Sequence, residues 1–198
     1  MAYVDLRPSA RIVVYGDSIA VGYASTNPAT DAWPALLSAD YPGMVRVIAY
    51  SGRQLRTDGL TAAWRVNLAQ QLVQAARGTN SRRIWLAIGT NDYGVAQWNS
   101  TDFGTAYADL LDQIRALDTT VAVYAQSPLV RTTETANALG STLPNYRTAI
   151  SSACTGRSWA TFVDGSAILA LGDLVDGVHP TTAGHVKYKA AAKAALGY

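Results

Sequence analysis

The chain has 198 residues, a hydrophobic fraction of 49%, a charged fraction of 15% and a net charge of +2. That length and composition suit one globular domain with a sizeable core and exclude global disorder. The balanced charge lacks the basic stripe of a nucleic-acid binder, and no run of about eighteen apolar residues is present to span a membrane. Cys154 is the single cysteine, which excludes an internal disulfide and a zinc site built from several thiolates. Met1 to Pro8 carry neither the basic region nor the apolar stretch of a secretory signal, but a removable leader leaves the compartment open.

Arg11 to Tyr15 is a short β-branched run that stops at Gly16 and reads as a buried strand. Asp31 to Asp40 predicts a helix, with Asp31 as its cap and Pro34 in its first turn. Met44 to Tyr50 is a second strand. Thr61 to Arg77 follows as a helix, with Trp64, Leu68, Leu72, Val73 and Ala76 near helical spacing and Gly78 as a stop. Arg83 to Ile88 predicts a third strand and residues 102–117 a helix. Val121 to Ala125 predicts a fourth strand and Thr142 to Ala153 a helix with Pro144 near its start. Trp159 to Val163 is a fifth strand, and Thr182 to Leu196 an alanine-rich last helix. Trp64 and Trp85 are expected in the core.

Strands alternating with helices predict an α/β fold with a parallel sheet, because parallel neighbours need crossover connections. No repeat or linker divides the chain, so one domain is expected over residues 1–198. The longest irregular segments each follow a predicted strand. In open α/β sheets ligands bind outside the strands' carboxyl ends. Polar residues in those segments are therefore the functional candidates.

Four of the segments carry one chemistry. Gly16-Asp17-Ser18 follows the first strand, where glycine permits a tight turn and the hydroxyl projects from the sheet edge. Taken alone, such a serine is as often a helix cap. Ser51-Gly52 follows the second strand, and a glycine there lets backbone N–H groups approach a ligand, although a plain turn glycine is commoner. Gly89-Thr90-Asn91-Asp92 follows the third, and an Asn amide there can donate to an oxyanion or close an Asx turn. Asp176-Gly177-Val178-His179-Pro180 precedes the last helix. A histidine can take and return a proton, and a carboxylate three residues earlier can hold its other nitrogen. His185, inside the alanine-rich helix, reads as a packing or surface residue. Four bland explanations at four strand ends are much less economical than one crevice that collects a nucleophile, two oxyanion donors and an Asp/His pair.

These blocks resemble, in order, those of the SGNH hydrolase superfamily, the GDSL-type esterases. Gly16-Asp17-Ser18-Ile19 matches the first block with Ile in place of Leu. Gly52, Gly89-Thr90-Asn91-Asp92 and Asp176-Gly177-Val178-His179-Pro180 match the others. The resemblance implies a three-layer α/β/α sandwich, flavodoxin-like, with a five-stranded parallel sheet. It implies Ser18 as nucleophile, His179 as general base and then acid, and Asp176 as the group that orients His179. The implied oxyanion hole is the Ser18 N–H, the Gly52 N–H and the Asn91 side chain, and the family needs no metal or organic cofactor. Asp17 and Asp92 are read as loop braces; Asp164 and Asp173 are given no role.

The substrate is less legible. Tyr23, Trp33, Tyr93 and Trp98 lie in or near the loops, and Tyr93 or Trp98 could wall a pocket after Asn91. Aromatic rings serve sugar faces and acyl pockets alike. Short loops without a lid-like insertion favour small acyl groups. The expected partner is a small-molecule or carbohydrate ester, with a short-chain ester such as O-acetyl on carbohydrate as the leading substrate. Acyl transfer or thioester hydrolysis would use the same residues, and a non-catalytic glycan-binding module is the alternative of a different class. A nucleotide-binding loop of Walker or Gly-x-Gly-x-x-Gly type does not follow the first strand.

Overall fold

The computed structural model describes residues 10–76, 81–96 and 98–198. Five strands form one parallel sheet: β1 (Ala10–Gly16), β2 (Val45–Ala49), β3 (Ser81–Ala87), β4 (Ala122–Gln126) and β5 (Ala160–Val163). Their spatial order is β2-β1-β3-β4-β5. All five predicted strands are present within a residue or two at each end, the agreement expected where β-branched runs end at turn residues.

The helices are α1 (Ser18–Val21), α2 (Pro28–Asp31), α3 (Trp33–Asp40), α4 (Leu55–Asp58), α5 (Ala62–Ala76), α6 (Thr90–Val95), α7 (Ser100–Leu117), α8 (Leu143–Cys154) and α9 (Thr182–Leu196). The long ones match the sequence periodicity. The very short α1, α2, α4 and α6 lie in segments expected to be irregular. The expected end of α5 at Arg77-Gly78 lies outside the described residues.

Successive residues of β1 point to opposite faces, and each face has its own core. Val13 and Tyr15 join Ile84, Leu86, Val123 and Ala125 beneath α5, α7 and α8. Ile12 and Val14 join Trp85 beneath α3 and α9, where Trp33 stacks on Tyr188 with ring centroids 4.5 Å apart. Helices thus cover both faces, which makes three layers, and this is why the central strands read as continuous apolar runs. β2 departs from that expectation: it is an edge strand, and its residues are only partly covered.

Two local expectations are corrected. Asp31 does not cap α3. It ends α2, its carboxylate accepts the Asn27 N–H at 2.8 Å, and Ala32 is the residue before α3. Pro34 does sit in the first turn. Trp64 is not in the core: it is 49% exposed, because α5 turns Leu68, Leu72 and Val73 inward and leaves its N-terminal end at the rim. Trp85 is fully buried, as expected.

Candidate active site

The order β2-β1-β3 puts the ends of β1 and β3 at the point where the chain's winding about β1 reverses. That is where crevices form in such sheets. Ser18 follows β1, Gly52 follows β2 and Asn91 follows β3, so three adjacent strands deliver three of the candidate residues.

Ser18 is the first residue of α1. Asp17 caps the helix by accepting the Ile19 N–H at 3.0 Å. The turn is tight: a Cβ on Gly16 would come within 2.6 Å of the Ala20 methyl. The Ser18 N–H lies at a helix start, where no intrahelical acceptor exists, and it donates to none of the described residues. The Gly52 N–H is equally unspent. Gly52 has φ +79° with open space around its Cβ position, so backbone conformation rather than room calls for glycine.

The Ser18 hydroxyl lies 2.9 Å from His179 Nε2, and His179 Nδ1 lies 2.7 Å from Asp176 Oδ2. An ionised carboxylate only accepts, so Nδ1 carries the proton, and Nε2 is left to accept from Ser18. Asp176 Oδ1 also takes the N–H groups of Val178 (3.0 Å) and His179 (2.8 Å). Partial desolvation opposes ionisation of Asp176, but those three hydrogen bonds outweigh it and hold the carboxyl down at about 2. The loop is clasped by a bridge between Leu174 and Pro180, with the Val175 N–H donating to the His179 carbonyl at 2.8 Å. The Thr132 N–H, from the segment after β4, donates to the Gly177 carbonyl at 2.9 Å.

The Asn91 amide donates to the Arg53 carbonyl at 3.1 Å and to Asp17 Oδ2 at 3.3 Å. It therefore ties the turn after β1 to the loop after β2. Asp92 is buried, and its carboxylate accepts the N–H groups of Leu55 (3.0 Å) and Arg56 (2.9 Å). Asp17 and Asp92 thus brace the loops around the crevice, as expected. Burial pushes both carboxyls up to about 6, against the hydrogen bonds that they accept.

The remaining candidates are placed differently. Tyr93 does not wall the crevice. It is 6% exposed, packs edge-on against Tyr146 and donates its hydroxyl to the Thr135 carbonyl at 2.8 Å. Trp98 is partly buried against the core, and its carbonyl accepts the Tyr146 hydroxyl. Trp33 is fully buried. Of the four loop aromatics, Tyr23 is the one at the site: its ring centroid lies 4.6 Å from that of His179, tilted by 56°, and it is 54% exposed. Nothing in the pattern around Tyr23 separates it from the other three; the turn that α1 makes at Gly22 puts it there. Asp164 caps a short 3-10 turn and Asp173 pairs with Lys187. His185 is buried under α3, where its Nδ1 accepts the Trp33 N–H at 3.3 Å, and burial lowers it to about 4.

The five-stranded parallel sheet, covered by helices on both faces, is an α/β architecture, and a Ser-His-Asp relay sits at its switch point. Residues 14–187 match the GDSL-like lipase/acylhydrolase family, and the chain belongs to it. It is a member of the SGNH hydrolases. No curated protein sequence matches the chain.

Solved structures share the fold at low identity. A salicylyl-acyltransferase from a tetracycline biosynthetic pathway is 17% identical, with a TM-score of 0.73, over 98% of this chain and 56% of its own. A family two carbohydrate esterase from Clostridium thermocellum, in complex with cellohexaose, is 18% identical, with a TM-score of 0.64, over 98% of this chain and 67% of its own. An acetyl-xylooligosaccharide esterase from Geobacillus is 18% identical, with a TM-score of 0.66, over 98% and 97%. The chain spans little more than half of the acyltransferase and nearly all of the acetyl-xylooligosaccharide esterase.

Proposed function

We propose that the protein is a serine esterase that removes short acyl groups, with O-acetyl on carbohydrate as the leading substrate. The observation that carries this reading is the unbroken relay from Ser18 through His179 to Asp176, at 2.9 and 2.7 Å.

A serine hydroxyl is a weak nucleophile until a base takes its proton. As Ser18 Oγ attacks the ester carbonyl, its proton passes to His179 Nε2, and Asp176 stabilises the imidazolium. The carbonyl oxygen becomes an oxyanion, for which the Ser18 and Gly52 N–H groups are free donors. The Asn91 amide joins them by exchanging its longer bond, to Asp17, for one to the oxyanion. His179 returns the proton to the departing alcohol, which leaves an acyl-Ser18. Water then repeats the sequence, with the acid as product. No step calls for a cofactor.

Tyr23, set against His179 at the open face, would limit the room for the acyl group. The likeness to an acetyl-xylooligosaccharide esterase over nearly its whole length supports a small acyl group on a sugar.

The test is hydrolysis of p-nitrophenyl esters from acetyl to dodecanoyl, by the native protein and by Ser18→Ala. The expected result is activity that vanishes with Ser18 and falls with acyl length. A rate independent of Ser18 overturns the mechanism, and a maximum at long chains overturns the short acyl group. Acyl transfer is read in the same assay as an alkyl ester formed when an alcohol is added. A serine-directed phosphonate separates an activated Ser18 from a binding module, which would stay unlabelled.

A further inference from the structure

Beside the loop that carries Gly52 lies a cavity of about 370 Å³ that the proposed chemistry does not use. Helix α5 lines it with Trp64, Asn67 and Gln71. Their i, i+3, i+7 spacing puts them on one helical face. The segment after β2 lines it with Tyr50, Arg53 and Asp58.

The second group forms a fixed floor. The Arg53 guanidinium lies 4.0 Å from the Tyr50 ring centroid and 4.4 Å from that of Tyr15. Its Nε is 2.9 Å from Asp58 Oδ2. Asp58 also accepts the hydroxyls of Tyr15 and Tyr50, each at 2.7 Å. Arg53 is thus neutralised and held, and the floor offers no spare charge to an anion.

The rim is unspent. Trp64 is 49% exposed and Tyr50 44%. Neither the indole N–H of Trp64 nor the side-chain amides of Asn67 and Gln71 hydrogen-bond to any described residue. One exposed aromatic residue is ordinary. Two rings at the mouth of a cavity, with two free amides one helical turn apart, form a mixed surface that suits a particular kind of ligand. A fatty acyl chain would leave the amides unpaired, and a phosphate would find no free cation among the described residues that line the cavity. A pyranose fits both properties: its C–H face covers an aromatic ring, and its hydroxyls pair with amides.

We propose that this cavity is a neutral-sugar subsite, with Trp64 as the stacking platform and Asn67 and Gln71 as hydroxyl partners. It rests on the carbohydrate-ester reading above and extends it to where the saccharide chain runs. Arg53 is the physical link. Its side chain floors the cavity, its carbonyl accepts from Asn91, and it directly follows Gly52. A chain seated on Trp64 would therefore continue across the Gly52 loop toward Ser18.

The test is calorimetric titration of xylohexaose and of cellohexaose into Ser18→Ala protein, with and without Trp64→Ala. Gln71→Ala serves as a second substitution at an exposed position, and far-UV circular dichroism checks the fold of each. The expected result is binding of at least one hexasaccharide, weakened roughly tenfold by Trp64→Ala. In otherwise native protein, Trp64→Ala should also raise KM on acetylated xylohexaose, relative to KM on p-nitrophenyl acetate, by a similar factor.

Binding of neither sugar, or equal binding by the Trp64→Ala and Gln71→Ala proteins and their parent, overturns the subsite. A concentration-dependent dimer that Trp64→Ala abolishes, with no sugar bound, overturns it in favour of contact between copies. Sugar binding that depends on Trp64, without Ser18-dependent turnover of any ester, would leave the subsite standing and sink the esterase reading.

Discussion

Asp176 gathers three hydrogen bonds on two oxygens, and they keep it ionised far below neutral pH despite its partial desolvation. An amide at this position would offer one oxygen and one NH₂, and the imidazole would be held in the wrong tautomer. Asp176→Asn is therefore expected to lower kcat on p-nitrophenyl acetate by a factor on the order of 10⁴. A near-normal rate would show that another group orients His179. Asn91 has a double duty that its type alone does not disclose. Asn91→Ala is expected to cost about 10²–10³ in kcat through the lost oxyanion donor. It should also cost about 1–3 kcal/mol of stability, because the Arg53 carbonyl and Asp17 each lose a partner. Kinetics and urea unfolding on one preparation check both halves. Full turnover would remove Asn91 from the oxyanion hole, and an unchanged unfolding midpoint would deny its bracing role.

Among the elements, the loop from Leu174 to Thr181 is tightly constrained. Gly177 has φ +81°, and a Cβ there would lie 2.3 Å from Thr132 Oγ1. Only glycine meets both conditions, and the turn that it makes points Asp176 and His179 at each other. Gly177→Ala must either strain this turn or push the Thr132 segment away. The left-handed conformation alone costs about 1–3 kcal/mol. The expected outcome is a kcat loss out of proportion to the loss in thermal stability, since the displaced atoms belong to the relay rather than the core. Equal losses in the two would make Gly177 a packing residue only. The short helices α1, α4 and α6 teach the complementary lesson. Each has six residues or fewer, too few to display a 3.6-residue period, so none shows in the pattern. Yet α1 carries Ser18, α6 carries Asn91, and the Leu55 and Arg56 N–H groups at the start of α4 bind Asp92.

Across the whole molecule, buried ionisable groups act on stability in opposite directions. Asp17 and Asp92 are raised from 3.8 to about 6 by burial, and the Asp17 charge adds to the rise at Asp92. Between about pH 4 and 6 the folded protein holds protons that the unfolded chain has released, so these two make stability fall as pH rises. His185 is lowered from 6.5 to about 4 by burial. Over nearly the same interval the unfolded chain holds a proton there that the folded protein lacks, so His185 makes stability rise with pH. The two effects partly cancel. His185→Gln is expected to expose the aspartate effect, with Tm falling from pH 4 to 6. Asp92→Asn should tilt the curve the other way. Parallel curves for the parent and both variants would show that neither group is shifted by folding.

The sequence by itself determined the five strands, the long helices and the α/β class, and it singled out Ser18, Gly52, Asn91, Asp176 and His179 as the candidate site. These are local facts. A β-branched run declares a buried strand, an Asp three residues before a His sits on one turn, and glycine marks a turn wherever it is needed. Tertiary structure alone decided what depends on neighbours distant in the chain. It placed β2 at the edge, turned Trp64 outward, drew Tyr93 into the core and set Tyr23 against His179. Side-chain type states how much apolar area a residue has to bury. Which face of its element meets another element is settled only when the sheet order and helix layers are assembled. Aromatic residues, which suit core and crevice equally, are therefore where sequence reading and structure part company.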